Sequence, residues 1–472
     1  EIFDLKEDTP IANTTLDLFG RSKIVDAIVK TINIKSKTDH SCFVIGIYAK
    51  WGEGKTSVLN LIEEKLLSQQ DNIVISKFNP WFFKDQESLL FDFFNSIDGG
   101  NISEVFSNNL RKYGPIVSMG ISGVINMFAP GAGSIFNKSV TKFIDKIPEI
   151  KISPIERKRE LSRNIVDSKK HLVILIDDVD RLDKEETHAL FKLIKQTADF
   201  DNTIFIVAMD KDVVARSVCS KFENGDIASG YNFIEKIVQM QLYLPKIHQE
   251  RMKEFLNSKF DNLYSLLILN SDFFDEKEFM QAKEDISKYI SPLISTAREV
   301  FQYINILSYT LPMIHDEVNI SDLCLLEALK IIHPQGYNVI RNSKHIVLKK
   351  FSFIYTFERS VDPEKTKAIV KKEKDDFLNL FLSECSEENT YYLDLLIKQL
   401  LNYFFDDSLI YNSELEKRLC SEIYYDKYFI WGVPDGIMSE KEVIKLKDQI
   451  KDQDYFVLKE IFQSQIAKYD ND

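Results

Sequence analysis

This chain of 472 residues is short of several things, and each shortage removes a class of function. Its five cysteines, Cys42, Cys219, Cys324, Cys385 and Cys420, lie far apart and form no C-x-x-C pair. That spacing argues against a disulfide framework, a dithiol redox motif and a cysteine zinc site, and fits buried thiols in a reducing cytoplasm. The seven histidines are scattered too and make no zinc signature. Positive charge is scarce, with 60 Lys and Arg against 73 Asp and Glu and a net charge of −13. The greater part of that deficit falls in residues 351–472. Such a tail is a poor match for a polyanion, since phosphate binding needs cationic surface. The locally basic run from Glu156 to Arg163 mixes both signs and reads as a solvated helix face, so no strong nucleic-acid signature is present. No signal-peptide pattern opens the chain, which starts at Glu1 and reads as trimmed from a longer sequence.

Long hydrophobic runs are lacking as well. The nearest is Tyr113 to Asn137, which carries no charge but contains Pro115, Pro130 and five glycines. Only about 14 residues separate the prolines, where a spanning helix needs about 20. A short buried or interface hairpin is expected there, with a membrane-surface element or a true span as the alternatives. At this length a single core does not suffice, and two or three domains are expected.

The most informative stretch is Ala49-Lys-Trp-Gly-Glu-Gly-Lys-Thr-Ser57, directly after the apolar run from Cys42 to Tyr48. A buried strand leads into a glycine-containing loop, then into a helix with Leu59, Leu61 and Ile62 on one side. This is the layout of a phosphate-binding loop. Backbone N–H groups of Gly52, Glu53, Gly54 and Lys55 close around the phosphates. The Lys55 ammonium reaches the β- and γ-oxygens, Thr56 places a hydroxyl on Mg²⁺, and Ser57 continues the helix N-terminus. Ala49 stands where the pattern wants glycine, which costs little if its φ stays negative.

A second run, His171 to Arg181, is continuously apolar until it ends in Asp177-Asp178-Val179-Asp180-Arg181. Continuous apolarity means burial on both faces, as in a parallel sheet. Ligands of such sheets sit at the carboxyl ends of the strands, where these acids fall. Asp177 is the candidate Mg²⁺ ligand with Thr56, and Asp178 the candidate for orienting or deprotonating water.

These and several further segments together resemble the KAP family of P-loop NTPases. Phe78-Asn79-Pro80-Trp81 is similar to a family Phe-Asn-Ala-Trp motif, with proline in the alanine place. Asp177 to Arg181 resembles Asp-Asp-Leu-Asp-Arg, and the next strand ends in Asp210. Glu235 to Gln239 followed by Leu244-Pro245 matches another pair. Thr296-Ala297-Arg298 resembles a Thr-Pro-Arg segment without its proline. Asp17-Leu-Phe-Gly-Arg21 resembles an opening segment that lies near the base, which implies Phe19 and Arg21 in nucleotide binding. The resemblance covers residues 15 to about 345.

The expected fold is therefore α/β, a P-loop NTPase with a five-stranded parallel sheet core, a helical lid and a C-terminal α-helical domain. The expected divisions are residues 1–245 with an insertion at about 84–150, residues 246–345 for the lid, and residues 346–472 for the last module. The resemblance implies ATP and Mg²⁺ as ligands and hydrolysis at the γ-phosphate. It places Arg298 in a lid over the nucleotide, and Arg181, Arg216, Lys236 or Arg298 as the source of an arginine-finger charge. It further implies a bacterial, cytoplasmic, homo-oligomeric ATPase acting with co-encoded proteins in antiphage defence, with membrane contact as an option. The competing reading is a nucleotide-dependent scaffold with little turnover. The paired carboxylates Asp177 and Asp178 favour hydrolysis, because a mere binder does not need the second.

Overall fold

The computed structural model describes residues 8–69, 72–82, 93, 166, 170–197, 200–220, 225–270, 275–348, 372, 375–379, 381–382, 387–401, 416–430 and 438–451. The uncharged stretch, the basic run, most of the expected insertion and Cys385 lie outside these residues. The chain divides into two compact units, one of residues 9–246 and one of residues 247–472 with residues 1–8.

The first unit is built on five parallel strands, β1 (Phe43–Tyr48), β2 (Ile73–Phe78), β3 (His171–Ile176), β4 (Thr203–Met209) and β5 (Met240–Tyr243), in the order β2-β3-β4-β1-β5. Every residue of β3 and β4 is buried, because helices cover both faces of the sheet. On one face Ile45, Ile47, Val173, Leu175, Ile204 and Ile206 pack with α1 (Ser22–Thr38) and α2 (Lys55–Gln69). Helix α1 contributes Val25, Ile28, Val29 and Ile32, a spacing that lines one helical stripe. The opposite face carries Val44, Tyr48, Ile174, Ile176, Phe205 and Val207 against α3 (Lys184–Lys192), α4 (Lys211–Cys219) and α5 (Ile227–Glu235). The Gln239 side chain accepts from the Val44 N–H at 2.7 Å, and its own N–H donates to the Val44 carbonyl, which fixes β5 beside β1.

This register brings the ends of β1 and β3 to one edge with β4 between them. Phe78 of β2 stands opposite Ile176 of β3, so Asn79 and Asp177 leave the sheet side by side.

The second unit is helical among its described residues. It includes α6 (Gln249–Asn270), α7 (Glu276–Asp285), α8 (Ala297–Ile314), α9 (Ile320–Ile332), α10 (Pro334–Asn342), α11 (Glu387–Leu400) and α12 (Glu440–Lys451). Helix α9 is buried along most of its length. Its Asp322 pairs with Arg418 at 2.8 Å and accepts from the Leu419 N–H at 2.9 Å, which ties residues 416–430 to it. No helix among the described residues is long and apolar enough to cross a membrane.

Candidate functional site

The loop from Ala49 to Gly54 needs two backbone conformations that disfavour a side chain. Gly52 and Gly54 supply them at φ 87° and 91°. Ala49 is not among the residues with positive φ, so alanine serves where the motif has glycine. Its N–H continues the ladder to the Met209 carbonyl at 3.2 Å. The Glu53 N–H closes a turn on the Lys50 carbonyl, and the Glu53 carboxylate accepts from the Lys50 N–H at 2.6 Å. Trp51 at the loop's tip is 67% exposed.

Arg21 supports this loop from behind. Its guanidinium donates to the Glu53 carbonyl at 3.1 Å and to the Pro245 carbonyl at 2.5 Å. Asp17 accepts from the N–H groups of Arg21 and Ser22 and from the Ser22 hydroxyl, which holds the opening segment in place. Burial lowers the Arg21 pKa, against the opposing pull of Glu53 and Asp17. Phe19 is half-buried two residues away. The Ser57 hydroxyl accepts from the Ile11 N–H at 3.3 Å, so in this structure it faces the opening segment.

Lys55 and Thr56 begin α2, directly after the loop. The buried Lys55 ammonium donates to the Ala49 carbonyl at 3.2 Å, the Lys50 carbonyl at 3.4 Å and Asp180 Oδ2 at 3.2 Å. The Thr56 hydroxyl donates to Asp177 Oδ2 at 2.5 Å across 121 positions of sequence. Asp177 Oδ1 accepts from the Asp178 N–H. Burial pushes the Asp177 pKa above its ordinary value, more than the Thr56 and Asp178 bonds pull it down. A threonine hydroxyl beside a half-buried carboxylate suits a hard cation with oxygen ligands. Among the described residues no cluster of three or more His, Cys, Asp and Glu could hold a metal.

Asp178 adopts a left-handed backbone at φ 56°, unusual for a residue other than glycine. The conformation turns the chain from β3 into a short 3₁₀ turn, Val179–Arg181. The Asp178 carboxylate accepts from the Asn79 amide at 2.8 Å and from Arg181 Nε at 2.9 Å. Arg181 also lies 4.8 Å over the exposed Trp81 ring. The Asn79 side-chain oxygen Oδ1 accepts from the Trp81 N–H, and Pro80 opens a 3₁₀ turn that needs no N–H from it. Proline in the alanine place is thereby accommodated.

The other basic residues make contacts of their own. Arg298 sits in the first turn of α8 and pairs with Asp8. Thr296 caps that helix in a capping box with Glu299, and Ala297 takes the first helical position, where proline is favoured but not required. Arg216 is exposed on α4 and bonds its own helix at the Asp212 carbonyl, while Lys236 is exposed at the end of α5.

Two contributors escaped sequence reasoning. Asp180 was not assigned, although a residue three positions past Asp177 returns to the same side in a 3₁₀ turn. Asn79 was read only as part of a motif, because its approach to Asp178 depends on β2 lying beside β3.

Residues 21–314 match the KAP family P-loop domain. The chain is 22% identical over 484 residues to the Phage T7 exclusion protein of Escherichia coli strain K12, covering 94% of this chain. It spans only 62% of that relative's length. Among solved structures, Drosophila ORC bound to DNA is 11% identical, with 84% of this chain and 81% of that chain covered at a TM-score of 0.38. The ADP form of the Aeropyrum pernix ORC2 protein is 11% identical, with 84% and 88% covered at a TM-score of 0.35.

Proposed function

This chain belongs to the KAP family of P-loop NTPases, and from that premise we propose that it binds ATP with Mg²⁺ and hydrolyses the γ-phosphate. The observation that carries the reading is the 2.5 Å contact between Thr56 and Asp177. It joins the ends of two separate elements into a hydroxyl–carboxylate pair beside a buried lysine. Thr56 and Asp177 hold the cation, which when bound neutralises charge on the β- and γ-oxygens. Lys55 and the amides of Gly52 to Lys55 bind the phosphates. Asp178 orients the attacking water and accepts its proton, while Asn79 and Arg181 hold the Asp178 carboxylate in position. Arg21 keeps the loop in place through Glu53, and Phe19 flanks the base. Residues 246–345 act as the lid that carries Arg298.

The role is antiphage defence, performed in the cytoplasm with co-encoded proteins. The similarity to a phage exclusion protein supports it. The test is phosphate release by the purified chain, alone and with its co-encoded proteins. Lys55→Ala is expected to abolish nucleotide binding, since Lys55 is the buried ammonium that the loop directs at the β/γ-oxygens. Asp178→Asn is expected to keep binding and to lose about 10²–10⁴ in turnover, the range for a general base. Absence of phosphate release under every condition would sink the enzyme reading and leave the scaffold. Phage plating on cells carrying wild type or Lys55→Ala tests the role separately: protection by wild type alone supports it, and equal plating removes it.

A further inference from the structure

We propose that Asp180 is the internal counter-ion that a nucleotide's phosphate displaces from Lys55, and that its return to Lys55 speeds product release. The inference rests on the nucleotide reading above and adds a positioning residue to it.

An ammonium has three donors. All three donors of Lys55 are used here, two on the carbonyls of Ala49 and Lys50 and one on Asp180. The two carbonyls belong to the loop that carries the lysine and remain with it. Asp180 is the one anion of the three. To reach a phosphate oxygen, the ammonium must exchange that carboxylate for it.

The pair is enclosed. The two side chains are 8% and 10% exposed, so solvent screens their attraction weakly. Asp180 Oδ1 is also buried, with no hydrogen-bond partner. A carboxylate with one oxygen bonded and the other orphaned is held by a single contact, and leaving an acceptor unmet carries a cost. Losing Lys55 would leave Asp180 an enclosed charge with no partner, so the carboxylate competes with a phosphate for the ammonium. Its neighbours are engaged differently. Asp177 is bonded to Thr56, and Asp178 to Asn79 and Arg181. Exchange at Lys55 thus falls to Asp180 and leaves the other two carboxylates in place.

The same competition acts after hydrolysis. Once the terminal phosphate has left, Asp180 regains its place on Lys55 and opposes retention of the diphosphate. Removing the carboxylate should tighten binding to the empty site and slow release.

The test is isothermal titration of ADP and of a non-hydrolysable ATP analogue, in EDTA, into wild type, Asp180→Asn and Asp178→Asn. The Asp178 variant removes the same charge from the site but leaves Lys55 paired. Asp180→Asn is expected to bind about tenfold tighter than wild type, the scale of one charge-assisted hydrogen bond. Asp178→Asn should gain no more than about twofold, as a distant charge does. Stopped-flow release of a fluorescent ADP analogue should slow in Asp180→Asn by a similar factor to its gain in affinity. Asp180→Ser is the second variant should asparagine prevent folding, with the same direction expected. Unchanged affinity, a gain matched by Asp178→Asn, or unslowed release would overturn the proposal. Failure of wild type to bind either nucleotide, with or without Mg²⁺, would instead overturn the nucleotide reading.

Discussion

Asp177 is half-buried where its chemistry needs it to be charged, and the consequence is measurable. Burial raises its pKa in the folded protein above the ordinary carboxylate value. Below the unfolded value both states hold the proton. Between the two values only the folded state holds it, and above both the folded state carries a partly desolvated charge. The stabilising contribution is therefore full at low pH and is lost as pH rises through the folded value. Asp177→Asn removes that loss and keeps an oxygen for the Thr56 hydroxyl. The nucleotide-free variant is expected to melt higher than wild type at pH 7, with the gap closing towards pH 4. It should also lose the affinity that Mg²⁺ adds to ATP binding. Thermal melts across that range decide the first point, and a lower melting temperature at pH 7 would refute it. Individual residues were unevenly legible in the sequence. Lys55, Thr56, Asp177 and Asp178 stand in compact motifs whose chemistry is local. Asp180 and Asn79 act through partners brought near by a turn and by strand order, which no local pattern encodes.

Secondary-structure elements were more legible than their order. The runs that form β1, β3 and β4 are continuously apolar, and that pattern alone implies a sheet covered on both faces. It does not say that β4 lies between β1 and β3, because pairing depends on which helices cross which face. The contact of α4 with α5 is another non-local feature. A Cβ added at Gly230 would lie 2.1 Å from the Ala215 carbonyl oxygen. The obstructing atom is backbone, so no rotamer change relieves the overlap. Gly230→Ala is expected to destabilise the protein by about 1–3 kcal/mol, the range for overpacking, despite the better helix propensity of alanine. Denaturant melts would show it as a lower midpoint, and an unchanged or higher midpoint would mean the two helices separate freely. These two helices follow β4 and lead into β5, so the same variant also tests how firmly the sheet edge is held.

At the scale of the whole molecule, the question is whether one chain completes its own site. Four basic residues were candidates for the finger charge, more than one triphosphate needs. Two are already taken within the chain, Arg181 by Asp178 and Arg298 by Asp8. Arg216 and Lys236 are exposed on the first unit. They are the better placed to reach a neighbour's nucleotide. ATP is therefore expected to promote self-association, with one of these two residues completing the site of an adjacent subunit. A charge supplied in trans is worth about 10³–10⁵ in rate. Specific activity should then rise with protein concentration. Mixing Lys55→Ala subunits with Arg216→Ala or Lys236→Ala subunits should restore part of the turnover, because each supplies what the other lacks. Restoration with only one of the two names the residue. Exposed ion pairs and helix-end cations are common and weak, and a monomeric enzyme would need neither residue. The two cases separate cleanly on dilution. Activity per subunit that stays flat over about a hundredfold dilution, with a monomer mass throughout and no rescue on mixing, would show that each chain works alone.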